Sequence, residues 1–159
     1  MKLSYKWLQE FVNLEGYTPE SLADKLTTAG LEVEGLERLA SASKLCIGEV
    51  LECVDHPDSD HLHVTKTSIG DEVLQIVCGA PNCRAGLKVI VALPGCVLPG
   101  GEIKKGMIRG QESNGMLCAL YELGVDKKSL TEYQLSGIEE LPIDAPVGET
   151  KVLEYLVLD

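Results

Sequence analysis

Residues 75–124 read QIVCGAPNCRAGLKVIVALPGCVLPGGEIKKGMIRGQESNGMLCALYELG, and the pattern of this stretch decides the fold. Leu87, Val89, Val91 and Leu93 interleave with Lys88, Ile90 and Ala92, while Pro94-Gly95 and Pro99-Gly100-Gly101 cut the chain on the far side. Apolar runs of period two, bounded by such breakers, predict short β-strands rather than helices. Two more strands are expected over residues 103–108 and 115–120, with Arg109 to Asn114 as the connection between them.

Upstream the same period continues. Val73 to Cys78 and Leu62 to Ile69 predict two antiparallel strands joined at Gly70-Asp71, and His56-Pro57-Asp58-Ser59-Asp60 is turn chemistry throughout. A long first strand begins at Lys44. Leu45 and Ile47 share a face, which Val50 and Val54 join only if Gly48 makes a bulge that shifts parity. Five or six short strands with a bent first strand fit a closed barrel of the OB type better than a sandwich.

Before Lys44 the period changes. Ser4 can cap a short helix with Trp7, Leu8, Phe11 and Val12 on its apolar face. Thr18 and Pro19 form a helix start, Leu22, Ala23, Leu26 and Ala29 repeat at helical spacing, and Gly30 supplies the stop. At the other end, Val152, Leu153, Tyr155, Leu156, Val157 and Leu158 form an apolar run that stops abruptly, as expected of a fragment. The expected class is therefore α+β, an OB-fold barrel inserted in a small discontinuous helical/β domain. Its parts are 1–40 (helical), 41–148 (barrel) and 149–159 (return strand).

Charge narrows the function. A net charge of -11 over 159 residues opposes long-range attraction of a polyanion. Between Pro81 and Gln111, however, Arg84, Lys88, Lys104, Lys105 and Arg109 face only Glu102, a local excess of four positive charges. The six cysteines sit mostly in apolar runs and read as reduced, buried thiols. No apolar run approaches the length of a membrane span, so a cytoplasmic protein without membrane contact is expected.

Catalysis finds little support. His56, Asp58, Asp60, His61 and His63 crowd together, but Pro57 and its neighbours account for them as a turn, so no metal ligand is assigned. Cys78 and Cys83 lack zinc or redox spacing. No nucleophile and base, and no pair of carboxylates, can be specified, so no catalytic residue is assigned.

The opening SYKWLQEFV with TPESLADKLTTAGLEVEG, followed by HPDSDHLHV, QIVCGAPNCRAGLKVIVALPG and LPGGEIKKGMIRGQESNGMLCALYELG, resembles the start of the bacterial phenylalanyl-tRNA synthetase beta subunit with its inserted tRNA-binding OB domain. The resemblance covers essentially the whole chain. It implies a non-catalytic, tRNA-binding piece of an ATP-dependent ligase, with tRNA(Phe) and the alpha subunit of an α2β2 assembly as partners. It also implies that ATP and magnesium serve the parent enzyme and that this segment carries no cofactor of its own. The signature Ser113-Asn114-Gly115-Met116-Leu117 is implied to meet RNA. Ser113 and Asn114 offer hydrogen bonds and Met116 an apolar platform. Lys104, Lys105 and Arg109 would add phosphate contacts, and Asn82 and Arg84 would extend the same face. Each residue also has a plainer reading: cations on an exposed strand edge block edge pairing, and Ser113 and Asn114 suit an ordinary turn. With Tyr121 and Tyr133 the only aromatics in or just after the barrel, binding is expected to be weak and supporting. The rival reading is a scaffold module within the synthetase.

Overall fold

The computed structural model describes residues 3–36 and 44–152, which belong to two separate compact units. In the first, α1 (Tyr5–Phe11) starts at Ser4, whose hydroxyl accepts from the Trp7 N–H, and α2 (Pro19–Thr28) starts at Thr18, paired with Ser21 in a capping box. These caps satisfy N–H groups that have no partner inside the helix. Trp7 and Phe11 meet at a tilt of 59°, 4.9 Å between ring centroids, yet both are exposed, as are Val12, Leu31 and Leu36.

The second unit is the barrel. Its sheet has the order β3 (Val73–Cys78), β2 (His63–Ser68), β1 (Leu45–Asp55), β4 (Lys88–Ala92), β9 (Met116–Leu117), all neighbours antiparallel. Two small hairpins intervene, β5 (Val97–Leu98) with β6 (Gly101–Glu102), and β7 (Gly106–Ile108) with β8 (Gln111–Ser113). The sheet curls until β8 reaches β3. There the Asn114 N–H donates to the Gln75 carbonyl (2.9 Å), the Val77 N–H to Ser113 Oγ (3.1 Å) and Gln75 Nε2 to the Glu112 carbonyl (3.0 Å). The result is a nearly closed five-stranded antiparallel barrel in an α+β chain, as the strand pattern predicts.

The bulge is not at Gly48. Gly48 pairs in register with Val89, and the register shifts instead between Val50 and Glu52, leaving Leu51 as the extra residue. A methyl on Gly48 would stand 2.7 Å from Val91 Cγ2 and 3.0 Å from both the Ser68 carbonyl and Thr67 Cγ2, so glycine is there for close packing. Parity therefore runs unbroken through Gly48. Cys46 and Val50 face the interior with Ile76, Val89, Val91 and Leu117, while Leu45 and Ile47 face the other way and Val54 is exposed. Thr65 and Thr67 also point inward, satisfied by each other (3.0 Å) and by the Ile76 carbonyl (2.8 Å).

The outer face of β1 and β4 is buried as well. Leu45, Ile47, Ile90 and Ala92 pack with Cys118, Leu120, Leu123, Ala145 and Val152. Val125, Leu130, Leu141, Ala145 and Val152 thus help cover this face of the sheet. Where β2 ends at Ser68, residues 148–149 take its place beside β1: the Ile47 N–H donates to the Glu149 carbonyl (2.9 Å) and the Gly148 N–H to the Ile47 carbonyl (2.8 Å). The return strand expected over 149–159 lies, from residue 153 on, outside the described residues.

Two further expectations are corrected. Residues 103–108 are not one strand: Ile103 extends the β5–β6 hairpin through backbone bonds with Gly95 and Cys96, and Lys104 and Lys105 follow as an exposed link to β7. Residues 109–114 are not one loop either. Arg109 (φ 48°) and Gly110 (φ 83°) are the two central residues of a tight hairpin turn, with positive φ at both positions, and β8 follows at once.

Candidate nucleic-acid interface

Where the barrel closes, a groove of about 530 Å³ opens between the end of β3, the β7–β8 hairpin, residues 115–122 and residues 136–138. The buried Val77, Ser113 and Leu117 line it together with Gly115, Ile103, Met116 and Tyr121, and so does the exposed Lys104. Gly115 makes this junction possible. With φ 146° it crosses over β4 so closely that a methyl there would sit 2.8 Å from the Ala92 carbonyl.

The residues expected to meet RNA fall into three groups. Lys104, Ser113 and Met116 line the groove, with Lys105 adjacent and Asn114 between Ser113 and Gly115. Ser113 is buried and bonded twice, accepting from the Val77 N–H and donating to the Gly115 carbonyl (3.2 Å), so its hydroxyl closes the barrel. Met116 packs partly against the outer core cluster.

Arg109 stands apart, at the tip of the β7–β8 hairpin. Its guanidinium donates to the Asp58 carbonyl (3.0 Å) and ties the hairpin to the β1–β2 loop. His56 completes that tie. Its Nδ1 accepts from the Asp58 N–H (2.9 Å), so Nε2 bears the hydrogen and donates to the Ile108 carbonyl (3.0 Å). His61 pairs with Asp60 and His63 with Asp55, which separates the histidines into different contacts. Among the described residues no group of three or more His, Cys, Asp or Glu side chains is placed to hold a metal.

Asn82 and Arg84 form a clamp. Asn82 Nδ2 donates to the Ile138 carbonyl (2.8 Å) and to Glu140 Oε1 (3.1 Å), and the Ile138 N–H donates back to Asn82 Oδ1 (3.0 Å). Arg84 grips Glu140 with two nitrogens at 3.1 and 3.0 Å, and the Tyr133 hydroxyl donates to the same carboxylate. These donors, Arg84 first, hold the Glu140 carboxyl down at about 2. The clamp holds the turn at residues 82–84 against residues 138–140, and Gly79, Ala80 and residues 136–138 beside it line the groove.

This changes the electrostatics of the basic island. Arg84 is matched by Glu140 (3.0 Å), and Lys88 by Glu49 (3.2 Å), so the local excess falls from four charges to two. Among the described residues Lys104 and Lys105 make no ion pair, and both are exposed. Deeper in the groove Glu122 accepts from the Ala119 N–H (2.7 Å), and burial pushes its carboxyl above the usual carboxylate range. Tyr121 carries the ammonium of Lys127 over its ring, 4.9 Å from the centroid. Sequence reasoning gave neither Glu122 nor Lys127 a role. The only signal in the sequence for Lys127 is its distance from Tyr121, six residues along a turn-rich segment.

No helix among the described residues is long and apolar enough to cross a membrane. Residues 45–149 match the tRNA binding domain family model. Along its full length the chain is similar to the phenylalanine–tRNA ligase beta subunits of Pseudoalteromonas translucida (53% identical) and Haemophilus influenzae (51%). Over 99% of its length it is 50% identical to that of Oceanobacillus iheyensis. It spans only 19 to 20% of those proteins. Two solved structures are also similar. The C-terminal domain of Plasmodium vivax p43 is 25% identical with a TM-score of 0.46, over 74% of this chain and 61% of that one. The MetRS related protein from Pyrococcus horikoshii is 22% identical with a TM-score of 0.47, over 65% of this chain and 84% of that one.

Proposed function

The chain belongs to the tRNA binding domain family, and on that premise we propose that it is the non-catalytic, auxiliary tRNA-binding segment of a phenylalanine–tRNA ligase beta subunit. The observation that carries the proposal is the groove at the barrel closure, with Lys104 and Lys105 exposed and without ion pairs beside it. An RNA phosphate meets those two ammonium groups, while Asn114, Met116 and Tyr121 offer a polar edge and apolar faces to an unstacked nucleotide. The half-buried Glu122 and the paired Arg84 keep the attraction modest. Its partners are tRNA(Phe) and the alpha subunit of an α2β2 enzyme, in the cytoplasm. ATP and magnesium support aminoacylation in other parts of that enzyme.

The internal pairing of Arg84 with Glu140 and of Lys88 with Glu49 favours a second reading, a scaffold module that braces neighbouring parts of the subunit. A fluorescence titration of the 159-residue chain with tRNA at low salt separates the two. The RNA reading expects weak binding, and Lys104→Ala with Lys105→Ala lowers affinity by about tenfold or more. Absence of binding, or binding indifferent to the double change, supports the scaffold.

A further inference from the structure

Two sulfurs meet beside the clamp. Cys53, on β1 past the Leu51 bulge, is the one cysteine of the six that is not buried. Its Sγ lies 3.8 Å from Cys83 Sγ and 3.5 Å from the Cys83 carbonyl. Cys78, at the end of β3, accepts at its own sulfur from the Ala80 N–H (3.5 Å). Cys83 comes from the turn between β3 and β4, some thirty residues from Cys53, so the fold and not the sequence brings this pair together.

We propose that Cys53 and Cys83 are a modification site, a thiol pair that closes to an intrachain disulfide when the protein meets a peroxide. The Cys53 thiolate attacks a peroxide oxygen: an S–O bond forms, the O–O bond breaks, and the departing hydroxide takes up the thiol proton as water. The Cys83 sulfur then attacks the sulfenic sulfur. An S–S bond forms, the S–O bond breaks, and hydroxide leaves with the Cys83 proton as a second water. In sum two thiols and one hydrogen peroxide give one disulfide and two waters, with two electrons passing from sulfur to peroxide.

The geometry favours Cys83 as the resolving thiol. Its sulfur stands 3.8 Å from that of Cys53 and must close to a bond length of about 2.05 Å. Burial pushes the Cys53 thiol up, so the site answers sustained peroxide and is not a fast sensor. The position matters because Cys83 stands between Asn82 and Arg84, the two residues that clamp the wall of the groove.

The test is to treat the 159-residue chain with hydrogen peroxide, block free thiols, digest, and sequence the linked peptides by tandem mass spectrometry. The expected product is a Cys53–Cys83 link, lighter by two hydrogens and reversed by dithiothreitol. Cys83→Ser is expected to abolish the link and leave a Cys53 sulfenic acid that dimedone traps, whereas Cys78→Ser leaves the link intact. A Cys78–Cys83 link with Cys53 free overturns the proposal. So does Cys53 oxidised to sulfinic acid in the unsubstituted chain without any link, a reading that needs no variant to fold.

Discussion

Replacing Glu140 by Gln tests the clamp that holds the groove together. The Glu140 carboxylate accepts from two nitrogens of Arg84, from Asn82 Nδ2 and from the Tyr133 hydroxyl, and its side chain retains 24% of its exposure. Its carboxyl lies at about 2 in the folded chain, against an ordinary value of 4.5. A shift of that size corresponds to a ceiling of about 3 kcal/mol at 1.36 kcal/mol per unit. Because the Arg84 partner is more exposed than buried, solvent screening reduces this to about 1–2 kcal/mol.

The sign follows from the direction of the shift. A carboxyl depressed on folding stabilises the folded chain fully above its unfolded value of 4.5, and that contribution is lost as pH falls toward about 2. Urea unfolding of the unsubstituted chain and of Glu140→Gln, followed from pH 7 down to pH 2.5, reads the difference directly. The two are expected to differ by about 1–2 kcal/mol at neutral pH and to converge in acid. A difference that stays constant across that range refutes the reasoning, because it would trace the effect to shape and not to charge.

Two other substitutions probe how the barrel is built. Gly48→Ala forces a methyl to within 2.7 Å of Val91 Cγ2 and is expected to cost about 1–3 kcal/mol in urea unfolding. Adding Val91→Ala relieves part of that clash, so the pair is expected to be less destabilised than the sum of the singles; simple additivity counts against the packing role. His56→Ala leaves the Asp58 N–H and the Ile108 carbonyl without their partner, at a cost of about 1–3 kcal/mol. Hydrogen exchange should then quicken at Asp58, and an unchanged rate would mean that the β1–β2 loop is held by other contacts.

Much of the fold is legible in the sequence because it is written in local signals. Thr18-Pro19 marks the start of α2, and the period of two from Leu62 to Cys78 marks the β2–β3 pair. The misread positions are those where a local signal has two physical causes. Gly48 suggests a parity shift, but its missing side chain serves close packing against Val91. Arg109 at positive φ is a turn residue that its type does not announce, so the β7–β8 hairpin looks like a strand followed by a loop. Arg84 and Glu140 stand 56 residues apart, and an ion pair across that distance leaves no trace in spacing. With Lys88 matched by Glu49 as well, the basic island appears twice as strong in the sequence as it is in the folded chain.

The claim that the groove and its two unpaired lysines carry tRNA contact is tested most directly by the salt dependence of binding. The logarithm of affinity is expected to fall linearly with the logarithm of salt concentration, by about 0.7–0.9 for each phosphate neutralised. Lys104→Ala with Lys105→Ala should therefore flatten the slope by about 1.4–1.8 as well as weaken binding. A slope identical in the unsubstituted and doubly changed chains would contradict the account.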